Sequence, residues 1–202
     1  MTSVRIVKPQ ICPVVDSWYD LDLQANLIPR IYCCGFDHPY WVQEHCIQPM
    51  MIGLNTMTIA PSSSGKTLAF IIGSLQRIDY EQLVCPSLIL APSRLKVHAI
   101  HRLTLSLGAT DDVRCHSCIG GTTDPALDIH YVREGQHVVV GTPERVFSLL
   151  DQHHISWEAL KTIVLYEPDV MISSGWGEQI YDILFRTPPE VQVCIFSAGF
   201  LF

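Results

Sequence analysis

Short apolar runs alternate along the chain with longer stretches in which apolar residues recur every three or four positions. A short continuous apolar or β-branched run suits a parallel strand buried on both faces, and the 3.6-residue recurrence suits a helix laid against it. Strands are predicted at residues 56–60, 87–91, 113–119, 137–141, 162–166 and 192–198. Helices are predicted at 24–34, 40–51, 66–79, 95–107, 125–133, 143–152 and 176–185. Strand and helix in turn imply an α/β domain, a parallel sheet with helices on both faces and right-handed crossovers. Folds of this kind bind ligands beyond the carboxyl ends of their strands.

Composition narrows the picture without changing it. With 202 residues, 48% of them hydrophobic and 16% charged, the chain is able to bury one core and does not resemble a disordered sequence. No apolar run approaches the roughly 18 residues of a membrane helix, and the first residues lack a secretory pattern. A monomer in the cytoplasm, or the nucleus, with no membrane partner is expected. There the eight cysteines are expected as reduced, buried small side chains rather than a disulfide framework. A formal charge of -7 excludes a protein that wraps nucleic acid by bulk electrostatics, so any RNA contact must be local.

The segment from Thr56 to Thr67 reads Thr-Met-Thr-Ile-Ala-Pro-Ser-Ser-Ser-Gly-Lys-Thr, a strand, a small-residue loop and then an apolar helix. Such a loop cradles phosphates on backbone N–H groups at a helix N-terminus. Ser62, Ser63, Ser64 and Gly65 would form the cradle, Lys66 would reach the outer phosphates and Thr67 would hold Mg²⁺. Gly-Lys-Thr alone leaves a second reading open, a helix capped by Ser64 with an ordinary surface lysine. Ala60 stands where the general pattern has its first glycine, and no guanine-reading Asn-Lys-x-Asp occurs, which argues against a P-loop kinase or GTPase.

Order and spacing of further motifs supply more. Residues 60–67 fit A-x-x-G-x-G-K-T with Ser63 in place of the first loop glycine, and Trp18 followed by Gly-Phe-Asp-His-Pro-Tyr-Trp-Val-Gln at 35–43 precedes them. Downstream come Ala-Pro-Ser-Arg at 91–94, Gly120 and Gly121, Thr-Pro-Glu-Arg at 142–145, Tyr-Glu-Pro-Asp at 166–169 and Ser-Ala-Gly at 197–199. From about Trp18 to Ala198 this series resembles the first RecA-like domain of the DEAD-box RNA helicases, of the translation-initiation factor 4A type. The resemblance implies a RecA-like P-loop NTPase domain over 18–202, preceded by an extension at 1–17, with the family's second helicase domain and the last helix and strand of the first outside the sequence.

It also implies ATP and Mg²⁺ as ligands. Trp18, Phe36 and Gln43 would contact adenine, the glutamine because its amide offers a donor and an acceptor together. Pro92, Arg94, Gly120, Gly121, Thr142, Pro143 and Arg145 would contact RNA backbone. Glu167 would be the catalytic base, and Asp169 would couple ATP state to RNA opening. A translation-initiation scaffold protein is a further expected partner.

Two departures set expectations apart from the family. Where the family has D-E-A-D, Tyr166 puts a neutral phenol in place of the metal-holding carboxylate. A rate loss of at least about 10²–10³ is expected from losing one such electrostatic stabiliser. Pro168 is expected to push Glu167 toward an extended backbone. Ser63 in a left-handed position would cost roughly 1–2 kcal/mol and weaken nucleotide affinity. Where the family has S-A-T, Gly199 lacks the hydroxyl. A degenerate nucleotide- and RNA-binding domain is thus expected, and the alternative is a non-catalytic interaction module or decoy. Cys-His-Ser-Cys at 115–118 has zinc-like spacing but lacks a second pair, and a strand would point its cysteines apart. His98, His101, His153 and His154 read as ordinary helix and loop histidines.

Overall fold

Runs of β-branched and apolar residues bounded by Gly, Pro and polar turns leave the chain little choice but to bury them on both faces of a sheet. The computed structural model describes residues 4–6, 16–109, 112–121 and 125–199. Within these, the strands are β1 (Val4–Ile6), β2 (Asn55–Ile59), β3 (Ser87–Leu90), β4 (Cys115–Cys118), β5 (Val138–Gly141), β6 (Thr162–Tyr166) and β7 (Gln192–Ser197). All pair in parallel, in the order β1-β2-β7-β6-β3-β5-β4. The helices are α1 (Leu27–Cys33), α2 (Trp41–Met51), α3 (Lys66–Leu75), α4 (Arg94–Leu107), α5 (Pro125–Arg133), α6 (Pro143–Asp151), α7 (Pro168–Met171) and α8 (Gly177–Arg186).

Alternation along each strand splits the core in two. Ile89, Val138, Val140, Val164 and Phe196 face one layer, with buried residues of α1 through α4. Leu88, Leu90, Val139, Ile163 and Leu165 face the other, with buried residues of α5 through α8. Chain direction explains the division. From β2 through β3 to β4 the chain moves one way across the sheet, and from β4 through β5 and β6 to β7 it moves back. Right-handed crossovers place the first set of helices on one face and the second on the other.

Four details depart from the sequence reading. The edge strand β1 lies within the 1–17 extension, where a three-residue Val-Arg-Ile run is too short to show periodicity. A 3₁₀ turn at Trp18–Leu21 and the pair of turns Pro168–Met171 and Ile172–Trp176 were not expected, for the same reason. The predicted strand over 113–119 narrows to Cys115–Cys118, and the helices over 24–34 and 66–79 narrow to Leu27–Cys33 and Lys66–Leu75. Glu167 is not extended: it caps α7 in the left-handed region (φ 56°, ψ 56°). A strand that must turn into a helix within one residue needs that conformation, and Pro168 then takes the first helical position, where its missing N–H costs nothing.

Candidate nucleotide-binding site

The strand order brings three turns together at the carboxyl edge. The loop after β2 leads to α3 on one face, while the turns after β6 and β7 lie beside it, which opens a crevice where neighbouring connections diverge. Backbone bonds tie the turns: Ala60 N–H donates to Ser197 O (3.1 Å) and Glu167 N–H to Phe196 O (2.7 Å).

Beside the loop lies a cleft of about 310 Å³ whose wall includes Phe36, Tyr40, Gln43, Gly65, Thr67 and Tyr166. Ser63 (φ 64°) and Gly65 (φ 90°) take left-handed conformations, which let the loop turn its backbone inward. Gly65 is needed twice over, since a Cβ there would lie 2.4 Å from Gln43 Nε2. Lys66 is buried and its Nζ donates to Pro61 O (2.7 Å) and to Ala60 O. Burial lowers its pKa from the ordinary lysine value, Glu167 and Asp169 oppose that shift and Lys96 adds to it. Lys66 thus stays folded onto its own loop, and the turn that carries Glu167 follows β6, separated from β2 by β7.

Gln43 is buried in the cleft wall. Its Oε1 accepts from Tyr40 N–H (2.6 Å) and its Nε2 donates to Gly65 O (3.2 Å), so it links the start of α2 to the loop. Trp18 is placed elsewhere. It is fully buried, does not line the cleft, and donates its indole N–H to Phe36 O (2.9 Å), holding the cleft wall from behind. Ser62 and Ser64 also stand off the cleft. Ser62 is exposed, and Ser64 lines a separate depression that Trp41, Val42 and Ile59 also border, with its Oγ buried and lacking a hydrogen-bond partner among the described residues.

Tyr166 packs on Phe70 with ring centroids 5.3 Å apart. Glu167 is 8% exposed and pairs through Oε2 with the ammonium of Lys96, a residue the sequence reading passed over. Lys96 Nζ also lies 5.1 Å from the centroid of the Tyr166 ring. Asp169 Oδ1 accepts from Ser197 Oγ (2.8 Å), so its contact runs to the serine that precedes Gly199.

The residues read as RNA contacts gather at the carboxyl ends of β3, β4 and β5. Arg94 is exposed and ties two of these ends together, its Nη2 donating to Gly120 O (2.8 Å) and Gly121 O (3.4 Å). Gly121 is left-handed (φ 70°), and a Cβ there would meet Arg94 Nη2 at 2.7 Å. Pro92, Thr142 and Pro143 are buried at the bases of their helices, Thr142 and Pro143 as the cap and first residue of α6. Arg145 turns inward, its Nε donating to buried Asp128 Oδ2 (2.8 Å). Asp128, unremarked in the sequence, also meets His116 Nε2 at 2.9 Å.

Cys115 and Cys118 face opposite core layers, as a strand requires. His116, Cys118 and Asp128 do come within 4.8 Å of one another. With the Arg145 guanidinium already on the carboxylate, that trio is an ion-pair network rather than an obvious cation site.

A comparison of sequence decides what this arrangement belongs to. Residues 40–200 match the DEAD/DEAH box helicase family. The chain belongs to that family. It is 40% identical over 185 residues to eukaryotic initiation factor 4A of Cryptosporidium parvum and 41% identical over the same length to initiation factor 4A-9 of Nicotiana tabacum, in each case over 92% of this chain and 45% of the relative. Among solved structures, Saccharomyces cerevisiae Dbp5 bound to RNA and ADP BeF3 superposes with a TM-score of 0.80 at 27% identity, over 92% of this chain and 47% of that one. The chain thus spans about half the length of the relatives it matches. The fold is the RecA-like helicase domain, and the family is one that uses ATP and Mg²⁺. No helix of the described residues is long and apolar enough to cross a membrane.

Proposed function

We propose that this chain binds an adenine nucleotide in the cleft beside the 60–67 loop, meets RNA through a few backbone contacts, and hydrolyses the nucleotide slowly. The observation that carries the reading is a loop with left-handed Ser63 and Gly65 opening on an aromatic-walled cleft, Lys66 buried at its base, beside a turn that bears Tyr166 and an ion-paired Glu167. On this reading Lys66 exchanges its loop carbonyls for phosphate oxygens. Phe36 and Tyr40 offer aromatic faces to the base. Gln43 keeps one N–H and one carbonyl lone pair beyond its two bonds, enough to meet an adenine edge.

The family's Mg²⁺ fits this donor set poorly. A hard cation wants carboxylate and water oxygens. Thr67 offers a hydroxyl at the cleft wall, but position 166 offers a phenol packed on Phe70, and Glu167 is neutralised by Lys96. The same ion pair keeps Glu167 from accepting a proton from water. Slow turnover follows from both.

Titration with a fluorescent ATP analogue tests the site, and phosphate release with and without RNA tests the rate. Binding that weakens at least about tenfold in Lys66→Ala is expected, as for loss of a charged hydrogen bond. Equal affinity in that variant would overturn the site, and phosphate release stimulated by RNA would overturn the slow hydrolysis. A second reading, an interaction module that captures a translation-initiation scaffold, draws on the stacked Tyr181 and Phe185 of α8, which are 64% and 75% exposed. Scaffold capture undiminished in a Lys66→Ala variant that has lost nucleotide binding would favour it.

A further inference from the structure

Lys96 stands in the first turn of α4, where the Ser93 cap accepts from its backbone N–H (3.3 Å) and fixes the start of the side chain. From there the ammonium reaches Glu167, 71 residues away, and lies over the ring of Tyr166. The two side chains suit each other. A phenol ring attracts an ammonium by its quadrupole, where a carboxylate in its place would serve a divalent ion. Tyr166 is itself a wall of the cleft, and Lys66 lines the same cleft. Lys66 in the cleft wall and Lys96 behind the Tyr166 ring are thus the two cations near this turn, with Glu167 ion-paired to Lys96 and Asp169 held by Ser197.

We infer that the Lys96 ammonium takes the place of the divalent cation, so that this domain binds the metal-free nucleoside triphosphate on Lys66 and Lys96 together. The inference rests on the nucleotide site proposed above. Glu167 takes one of the ammonium's three N–H donors, and on this inference the other two donate to phosphate oxygens. A divalent ion brought into the same space would be repelled by the ammonium and would lack its carboxylate anchor. A nucleotide stripped of metal carries more negative charge for the two lysines to neutralise.

The test is titration of the full chain with a fluorescent ATP analogue, once in EDTA and once in excess Mg²⁺. Binding in EDTA at least as tight as in Mg²⁺ is expected. Lys96→Met should weaken binding in EDTA by about 10–100-fold, the scale of a hydrogen bond to a charged group, with Lys96→Arg retaining most of the affinity. Wild-type binding that requires Mg²⁺ would overturn the inference while leaving the nucleotide site standing, and this comparison needs no variant to fold. Lys96→Met binding as tightly as wild type in EDTA would overturn it as well. No binding in either buffer would remove the nucleotide site and the inference together.

Discussion

Ser63 holds φ 64° as part of the folded loop, so the cost of a left-handed non-glycine residue falls on folding rather than on ligand affinity. Replacing it by glycine relieves roughly 1–2 kcal/mol of that cost and adds back about 0.5–1 kcal/mol of unfolded-state entropy. Ser63→Gly is therefore expected to raise the Tm by no more than about 6 °C, measured by calorimetry. A fall in Tm would mean that the serine side chain itself holds the loop. At the cysteines, burial raises the thiol of Cys46 to about 11 and those of Cys85 and Cys194 to about 12, and lifts Cys115 and Cys118 as well. The thiolate is the reactive form, so at pH 8 a disulfide reagent should label exposed Cys33 first among the described cysteines, and then half-buried Cys34, whose thiol burial and the neighbouring Cys33 also raise. The remaining five should react only on addition of denaturant, and fast labelling of Cys118 would contradict the buried placement of β4.

The 3₁₀ turn at Trp18–Leu21 shows how an element outside the alternating pattern shapes the cleft. Trp18 joins the core layer of α1 through α4 and fastens the Phe36 carbonyl by its indole N–H. Truncation to alanine empties a large buried volume and strands that carbonyl, at a cost of about 3–5 kcal/mol. Trp18→Ala should lower the urea midpoint accordingly, and Trp18→Phe, which loses the hydrogen bond but little volume, should lower it less. Equal losses in the two variants would show that the indole N–H, rather than the packing, dominates. The turn between β6 and α7 works differently. There, Glu167 absorbs the backbone reversal, and its side chain is pinned from α4 rather than from its own element.

Across the whole molecule the net charge of -7 limits how RNA can be held. Of the arginines in the RNA-contact motifs, Arg145 is spent on Asp128, which leaves Arg94 exposed beside the glycine turn. Few phosphates neutralised means a shallow salt dependence, about -0.7 per phosphate for a single strand. Fluorescence anisotropy of a single-stranded RNA from 50 to 200 mM salt should give a log-log slope no steeper than about -2. A slope near -5 would require a basic surface that these motifs do not supply.

Sequence by itself determined the class of fold, the order of the six long strands and their helices, and the family, because buried strands and phosphate loops impose local patterns that survive in a single chain. It also marked Tyr166 as foreign to the catalytic turn. Only the tertiary structure decided where the candidate side chains stand. Trp18 and Arg145 fit their motifs by position yet face inward, since burial depends on what packs around a residue and not on its neighbours in sequence. Lys96 carried no signal at all: its partners lie 70 and 71 residues downstream, and only the pairing of β3 with β6 in the sheet brings α4 alongside the turn that holds them.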